Sequence, residues 1–225
     1  MLFRSGDAGY MSGFMMQNGR LIICGNAAEG LGDYGLDRGA LGAEVATTPY
    51  VVLLHGTTWV TKHWPELYWR QLAEQLVAAG VEVRLPWGSL DEQARALRIA
   101  EGLQGAVVLP RLPLRDVARQ LAGASACVAV DTGLGHLAAA LDVPTLSLFG
   151  PTNPGFTGAY GAVQQHLASD FACAPCLRKQ CSYQPTPEDA RRFDLTREQP
   201  LCFTRLNPDR VMQQLQPLLP NKRVL

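Results

Sequence analysis

The chain has 225 residues, of which 47% are hydrophobic and 18% charged, so it is expected to fold as one large domain or as one domain with an appendage. Twenty basic residues balance twenty acidic ones, and this neutral charge gives no reason to expect nucleic acid as a partner. No apolar run is long enough to span a bilayer and the N-terminus has no signal-peptide pattern, which predicts a cytoplasmic protein, at most peripheral to a membrane.

Residues 1–33 form a glycine-rich leader. Ten of the 22 glycines lie within residues 6–42, and none of the 15 prolines precedes Pro49. The tetrapeptide at 6–9, GDAG, returns at 25–28 as GNAA, after a short strand pattern, GRLIICG. Glycines that recur at fixed offsets around short strands are typical of the coils of a β-solenoid, where the corners are tight.

The leader resembles the glycine-repeat β-helix that glutamate synthase shares with one of the subunits of formylmethanofuran dehydrogenase. The resemblance covers fewer than two coils, whereas a solenoid needs about three repeats to bury its faces. We therefore do not expect the leader to form a stable domain alone. The alternatives are a leader without regular structure and a chimeric join to the segment that follows.

Strand and helix patterns alternate through residues 50–149. The helix patterns have the expected ends, with Gly80 as a C-terminal cap of the first and Ser89 or Asp91 as the N-terminal cap of the second. The five strand patterns are YVVLLH, VEVRLP, AVVLP, CVAVD and TLSLF, and four helices lie between them. This alternation predicts an α/β fold for residues 34–225, with a doubly wound, Rossmann-like sheet.

Ligands of such sheets bind beyond the carboxyl ends of the strands, which makes the loop after the first strand a candidate site. This loop, HGTTWVTKHWP, contains His55, Thr57, Thr58 and Lys62. Threonine hydroxyls can donate to phosphate oxygens, and a lysine ammonium is a compact cation that suits them. The alternative is a helix cap with a solvated lysine.

The loop after the second strand contributes Trp87 and Glu92. The indole could stack on a base, and the carboxylate could accept hydrogen bonds from ribose hydroxyls. The alternatives are a core aromatic residue and a solvent-facing residue in the first turn of a helix.

The loop after the fourth strand, DTGLGH, runs from Asp131 to His136 and opens a helix. Its glycines would let backbone N–H groups approach an anion at the helix N-terminus. Its spacing matches neither the dinucleotide fingerprint nor the P-loop, which disfavours a dehydrogenase and a P-loop NTPase. The convergence of these loops on one sheet edge predicts a site for a nucleotide diphosphate.

Four cysteines cluster near the C-terminus: Cys173, Cys176, Cys181 and Cys202. A C-x-x-C pair followed by two more cysteines is compatible with a four-thiolate zinc site. Reduced thiols or an opportunistic disulfide are the preferred interpretation, so no metal is assigned. The pattern NPDRVMQQLQPLL predicts a last helix, capped by Asn207 with Pro208 in its first position.

Three segments carry a specific resemblance: LLHGTTWVTKHWP, RLPWGSLDE and VDTGLGHLAAALDVPTLSLFGPTNPGFTGAYG. In order and in motif they resemble the C-terminal half of the lipopolysaccharide heptosyltransferases, glycosyltransferase family 9 enzymes with the GT-B fold, and type I more than type II. The resemblance implies ADP-L-glycero-D-manno-heptose as donor and the Kdo region of lipid A as acceptor. It also implies inversion at the anomeric carbon, no cofactor, no obligatory metal, and work at the cytoplasmic face of the inner membrane.

The resemblance also implies roles for individual residues. Thr57, Thr58 and Lys62 would hold the diphosphate, Glu92 would bind the ribose, and Asp131 would contact the sugar. The remaining phosphate and heptose contacts would come from Thr132, Gly133 and His136. Of these, Lys62, Asp131 and His136 are the candidate catalytic residues.

In the family that the chain resembles, an aspartate general base and the acceptor surface belong to an N-terminal domain. No residue of this sequence matches the motif of that base, and the glycine-rich leader stands in its place. We therefore expect donor binding without efficient transfer, because orientation of the two substrates is lost. The alternatives are a non-catalytic nucleotide-sugar-binding module and a chimeric fragment.

Overall fold

The computed structural model describes residues 14–17, 20–23 and 48–219. In the leader, β1 (Phe14–Gln17) and β2 (Arg20–Ile23) pair as an antiparallel hairpin. The predicted strand GRLIICG therefore corresponds to β2. Solenoid coils stack their strands in parallel, so this hairpin lends no support to the β-helix resemblance, which stays a prediction. The rest of the leader lies outside the described residues.

The remaining strands form one parallel sheet within residues 48–219, with helices between them. The strands are β3 (Tyr50–Leu54), β4 (Glu82–Leu85), β5 (Ala106–Val108), β6 (Ala126–Val130), β7 (Thr145–Phe149) and β8 (Gln164–Ala168). The helices are α1 (Glu66–Ala78), α2 (Leu90–Ala100), α3 (Leu114–Ala122), α4 (Gly133–Ala140), α5 (Pro154–Thr157), α6 (Pro187–Arg192) and α7 (Pro208–Leu215). Short 3-10 helices cover Val60–Lys62, Leu201–Leu206 and Gln216–Leu218.

The strand order is β5-β4-β3-β6-β7-β8, and every neighbouring pair is parallel. The chain moves outward from β3 to β5, then returns to place β6 on the other side of β3. This reversal creates a switch point between β3 and β6, where a crevice opens at the carboxyl ends of the strands. The predicted α/β, Rossmann-like fold is confirmed.

The central strands are buried on both faces, which explains their continuous apolar sequences. Alternate residues of β3 point to opposite faces: Val51 and Leu53 pack with α1, α2 and α7, whereas Val52 and Leu54 pack with α3 and α4. The helices therefore cover both faces of the sheet and leave its carboxyl edge to the loops.

Local signals place the helix ends where the sequence predicts them. Gly80 follows α1 in a left-handed conformation, with φ of 75°. Ser89 caps α2 through a reciprocal capping box with Glu92, and the Asn207 side chain accepts a hydrogen bond from the N–H of Arg210 at the start of α7. Strand β8 and helices α5 and α6 were not predicted.

Candidate functional site

The loops that follow β3 and β6 meet across the switch point. The ammonium of Lys62 lies 2.7 Å from Oδ2 of Asp131. The hydroxyl of Thr57 donates to the backbone carbonyl of Asp131, at 3.1 Å. Lys62 lies 69 positions before Asp131 in the sequence, and Thr57 lies 74 positions before it. They meet Asp131 in the fold because parallel neighbouring strands end at the same edge of the sheet.

The ion pair is mostly removed from water, with 14% of the Lys62 side chain and 7% of the Asp131 side chain exposed. The hydroxyl of Thr157, at the end of α5, also donates to Oδ2 of Asp131, at 3.1 Å. A charge in such a place needs a partner and hydrogen bonds, and here it has both. The carboxylate fixes the position of the lysine cation at the crevice.

Helix α4 points its N-terminus at the same place. Thr132 is its N-cap residue and makes no side-chain capping bond, and Gly133 is its first residue. The first turn of a helix carries backbone N–H groups and a partial positive charge, which attract anions. Lys62, whose charge is balanced by Asp131, and this helix end therefore give the crevice two adjacent groups of N–H donors.

His136 lines a cavity beside Asp131, together with Thr132, Phe149 and Thr157. Burial lowers the pKa of His136, and the nearby Asp131 carboxylate only partly opposes this effect. Among the residues that the structure describes, Nδ1 of His136 has no hydrogen-bond partner. The ring also hydrogen-bonds to the backbone of Thr157, so it is Nδ1 that is available to a ligand in this cavity.

Trp59 is a feature of the site that the sequence analysis did not single out. Its ring lies 4.4 Å from the ammonium of Lys62 and 5.4 Å from that of Lys179, measured to the ring centroid. Such cation–π contacts hold a lysine chain in place while leaving its N–H groups to a ligand. The signal was present in the motif TTWVTK, where the tryptophan precedes the lysine by three residues.

Glu92 lies at the N-terminus of α2, on the other side of the β3 loop. Its Oε2 accepts hydrogen bonds from the N–H groups of Gly88 and Ser89, at 2.8 and 3.3 Å. Its Oε1 packs against Gly56, where a Cβ would clash with the carboxylate. Oε2 of Glu92 therefore caps the helix, while Oε1 faces the crevice.

Trp87 is half-buried at the same edge. Its Nε1 donates to the carbonyl of Leu109, at 2.6 Å, and so links the ends of β4 and β5. This bond anchors the indole without burying it in the core. Thr58, by contrast, is exposed to solvent, and no contact brings it to the Lys62–Asp131 pair.

A basic cluster of the buried His55 and the half-buried His63 and Arg95 lies near Glu92. His55 is 1% exposed and lies edge-on to Trp69, so it is a core residue rather than a lining of the crevice. A guanidinium nitrogen of Arg95 lies 3.0 Å from Nδ1 of His63 and donates to the carbonyl of His55. Burial lowers the pKa of His55 to about 3, and Arg95 and His63 act in the same direction.

The four clustered cysteines line one small cavity, which Thr61 and Pro151 also border. All four are free thiols. Within residues 14–17, 20–23 and 48–219, no three histidine, cysteine or acidic side chains stand close enough to hold a metal ion. No helix in this same part of the chain is long and apolar enough to cross a membrane.

Comparison with known proteins shows the family to which the chain is similar. Residues 26–186 match the model of glycosyltransferase family 9 (heptosyltransferase). The chain is 70% identical over 191 residues to lipopolysaccharide heptosyltransferase 1 of Pseudomonas aeruginosa, which is 85% of this chain and 54% of that protein. Lipopolysaccharide heptosyltransferase 2 of Salmonella typhimurium is 34% identical over 101 residues, 43% of this chain and 29% of that protein.

Among solved structures, the Escherichia coli heptosyltransferase WaaC with ADP is similar, with a TM-score of 0.62 and 35% identity. The match covers 80% of this chain and 47% of that one. The chain thus spans about half the length of the relatives it matches.

Proposed function

The chain belongs to glycosyltransferase family 9, the heptosyltransferase family, and on this premise we propose that residues 48–219 bind the ADP-heptose donor of a lipopolysaccharide heptosyltransferase. The observation that carries the proposal is the Lys62–Asp131 pair, joined across the switch point beside the N-terminus of α4. The much higher identity to a type 1 than to a type 2 relative supports transfer of the first heptose, from ADP-L-glycero-D-manno-heptose to the Kdo of lipid A.

The diphosphate is placed at Lys62, Thr57 and the N-terminus of α4, a group that we call the diphosphate side. When the bond from the anomeric carbon to the phosphate oxygen breaks, negative charge collects on the departing ADP. A preorganised cation and a helix end stabilise that charge in a crevice partly shielded from water. Asp131 orients the lysine, and its carboxylate also lies where heptose hydroxyls would be bound.

The adenosine is placed at Glu92, Gly56 and Trp87, a group that we call the nucleoside side. Oε1 of Glu92 can accept hydrogen bonds from the ribose hydroxyls, because both backbone bonds of its capping role go to Oε2. The half-buried Trp87 offers an aromatic edge beside the same helix end. His136, neutral at pH 7, is placed at the phosphate and sugar, where its unpartnered Nδ1 can accept a hydrogen bond from a sugar hydroxyl.

The acceptor is placed opposite this edge of the sheet. The family resemblance assigns the aspartate general base to another domain, and none of the residues 48–219 is proposed in that role. Because lipid A is held in a membrane, the reaction is proposed to occur at the cytoplasmic face of the inner membrane.

Calorimetric titration of the whole chain with ADP and with ADP-heptose tests the proposal. One ligand per chain is expected, with competition between the two. Absence of ADP binding would contradict the assignment of the site. A transfer assay on Kdo2-lipid A separates the alternatives, since binding without transfer identifies a donor-binding module and efficient transfer contradicts a base outside this domain.

A further inference from the structure

A long segment between β8 and α6 has no role in donor binding as proposed above. Residues 169–186 contain neither helix nor strand. Loops of more than about 12 to 15 residues without regular structure are uncommon in compact domains, and those that are ordered generally have a function. This segment, the cysteine loop, contains Cys173, Cys176 and Cys181.

Both ends of the cysteine loop are held together. The rings of Phe171 and Tyr183 meet edge-on, with 4.9 Å between their centroids. At the start of the loop, the buried hydroxyl of Ser169 donates to the carbonyl of Cys202, at 2.6 Å. The loop is therefore closed on itself above the 3-10 helix Leu201–Leu206, which carries the fourth cysteine.

The four cysteines consequently border a single cavity. Cys202 lies at its base with 8% of the residue exposed, Cys176 is half-buried, and Cys173 and Cys181 lie nearer to solvent. Two cysteines separated by two residues, with a third from the same loop and a fourth from the 3-10 helix, supply the four thiols that structural tetrathiolate sites use.

We propose that Cys173, Cys176, Cys181 and Cys202 form a binding site for one tetrahedral metal ion, Zn²⁺ or Fe²⁺, the ions that prefer four thiolates. In the described residues the thiols do not already stand in a ligand arrangement, so binding draws the cysteine loop onto Cys202. Each thiol loses its proton to solvent as a metal–sulfur bond of about 2.3 Å forms, and no redox change is involved.

The four sulfurs border one cavity, so their charges interact once the thiols are deprotonated. Four thiolates so close together repel one another unless a cation lies between them. A bound divalent ion reverses this situation and keeps the sulfurs deprotonated.

The position of the site gives it a consequence for the diphosphate side. The hydroxyl of Thr61 donates to the carbonyl of Arg178, at 2.6 Å, and the N–H of Leu177 donates to the carbonyl of Pro151, at 2.8 Å. Lys179 of the same loop lies over Trp59. A metal that fixes the cysteine loop would thus steady the residues around Lys62. This consequence, unlike the site itself, rests on the proposed function.

Cobalt substitution tests the site directly. The whole chain is reduced, freed of metal with a chelator without oxygen, and titrated with Co²⁺. We expect saturation at one equivalent, with the visible absorption of tetrahedral cobalt and a strong sulfur-to-cobalt charge-transfer band. Displacement by Zn²⁺ and metal analysis of the freshly purified protein then identify the resident ion. Absence of these bands in the wild-type chain overturns the proposal.

Two buried cysteines provide a matched pair of variants. Cys202→Ala removes a ligand, whereas Cys127→Ala changes an equally buried thiol of β6 away from the cluster. We expect Cys202→Ala to lower Co²⁺ affinity by at least about tenfold and Cys127→Ala to leave it unchanged. The exposed Cys181→Ser serves as a second ligand variant if Cys202→Ala does not fold.

Equal cobalt binding by all three variants, or a disulfide among these cysteines in the protein purified under reducing conditions, also overturns the site. ADP titration with and without metal is a separate measurement. A cobalt site with unchanged ADP affinity supports the metal centre and contradicts only its coupling to the diphosphate side.

Discussion

On the diphosphate side of the crevice Lys62 and Asp131 hold each other, whereas on the nucleoside side Glu92 and Trp87 are held by backbone groups. The first arrangement depends on two charges that lie 69 residues apart in sequence and meet only in the folded sheet. The second depends on local capping and on the clearance that Gly56 provides. The difference predicts that substitutions on the diphosphate side affect both binding and folding, while those on the nucleoside side can affect binding alone.

The largest effect is expected for Lys62→Ala. Loss of a charge-assisted hydrogen bond to phosphate costs about 2 to 3 kcal/mol, or about 100-fold in ADP affinity. Calorimetric titration with ADP measures it. Lys179→Ala is the matched control, because Lys179 lies on the same Trp59 ring but is exposed. Equal losses in the two variants would mean that the positive potential of the loop, rather than the placed Lys62 cation, binds the ligand.

Asp131→Asn tests whether the diphosphate side also contributes to the stability of the fold. The substitution leaves the mostly buried Lys62 without its carboxylate, and we expect the free energy of unfolding to fall by about 2 kcal/mol. Urea unfolding at pH 7 measures the change. In Asp116→Asn, which breaks an exposed pair with Arg119, the change should stay below about 0.5 kcal/mol. An equally small change in the free energy of unfolding for Asp131→Asn would show that the Lys62–Asp131 pair does not contribute to folding stability.

Most of the strands and helices that form the two sides could be predicted from the local sequence, but the Lys62–Asp131 contact could not. The strand patterns from Tyr50 to Phe149 predicted β3 to β7, because strands buried on both faces are continuously apolar. Strand β8, QQHLA, escaped notice because it is a partly exposed edge strand with a polar sequence. Helix α6 is short and charged, with no buried residue to give it an apolar stripe.

The roles within the site were harder to predict than its location. The loops at the strand ends identified Lys62, Asp131 and Glu92 as candidates. Their pairing depends on the strand order, which places β3 beside β6 and which no local pattern encodes. The burial of His55 shows the same limit, since its loop position alone made it a candidate ligand. Its neighbours Trp69 and Arg95 come from helices that the loop sequence does not describe.

The buried histidine below the nucleoside side predicts a pH dependence of stability. His55 has a pKa of about 3 in the folded protein and about 6.5 when unfolded, so only the unfolded chain binds this proton between these values. Stability that is present above pH 6.5 is therefore lost as the pH falls, by about 1.4 kcal/mol per pH unit.

Urea unfolding of the wild type and of His55→Gln, from pH 7 down to pH 5, measures this contribution. The variant is expected to lose stability less steeply by about that slope. His166→Gln, at a less buried histidine whose pKa burial also lowers, should change the slope less. Identical slopes in the wild type and His55→Gln would show that His55 is charged in the folded protein.

Gly56→Ala tests the clearance on the nucleoside side. The new methyl group would meet the Glu92 carboxylate and displace it, and we expect about a tenfold loss of ADP affinity, the effect of misplacing a hydrogen-bonding group. Gly88→Ala is the control, because its Cβ would lie 3.4 Å from the same carboxylate, in ordinary contact. Equal ADP affinity in both variants would mean that the position of the Glu92 carboxylate does not affect binding, and would contradict its proposed contact with the ribose.

The smallest effect is expected for Glu92→Gln, and it distinguishes the two roles of this side chain. Glutamine also serves in a capping box, so the bonds to the N–H groups of Gly88 and Ser89 can persist and stability should hardly change. What is lost is the charge that strengthens a hydrogen bond from the ribose, worth about 0.5 to 1 kcal/mol, or about two- to fivefold in ADP affinity. Titration with ADP and with inorganic pyrophosphate separates the outcomes, since only ADP carries the ribose. Equal weakening of both ligands would mean that the Glu92 charge affects binding through the overall electrostatic potential of the crevice and not through a hydrogen bond to the ribose. The nucleoside side and the diphosphate side would then differ in their contribution to folding stability, but not in the kind of interaction by which they bind the ligand.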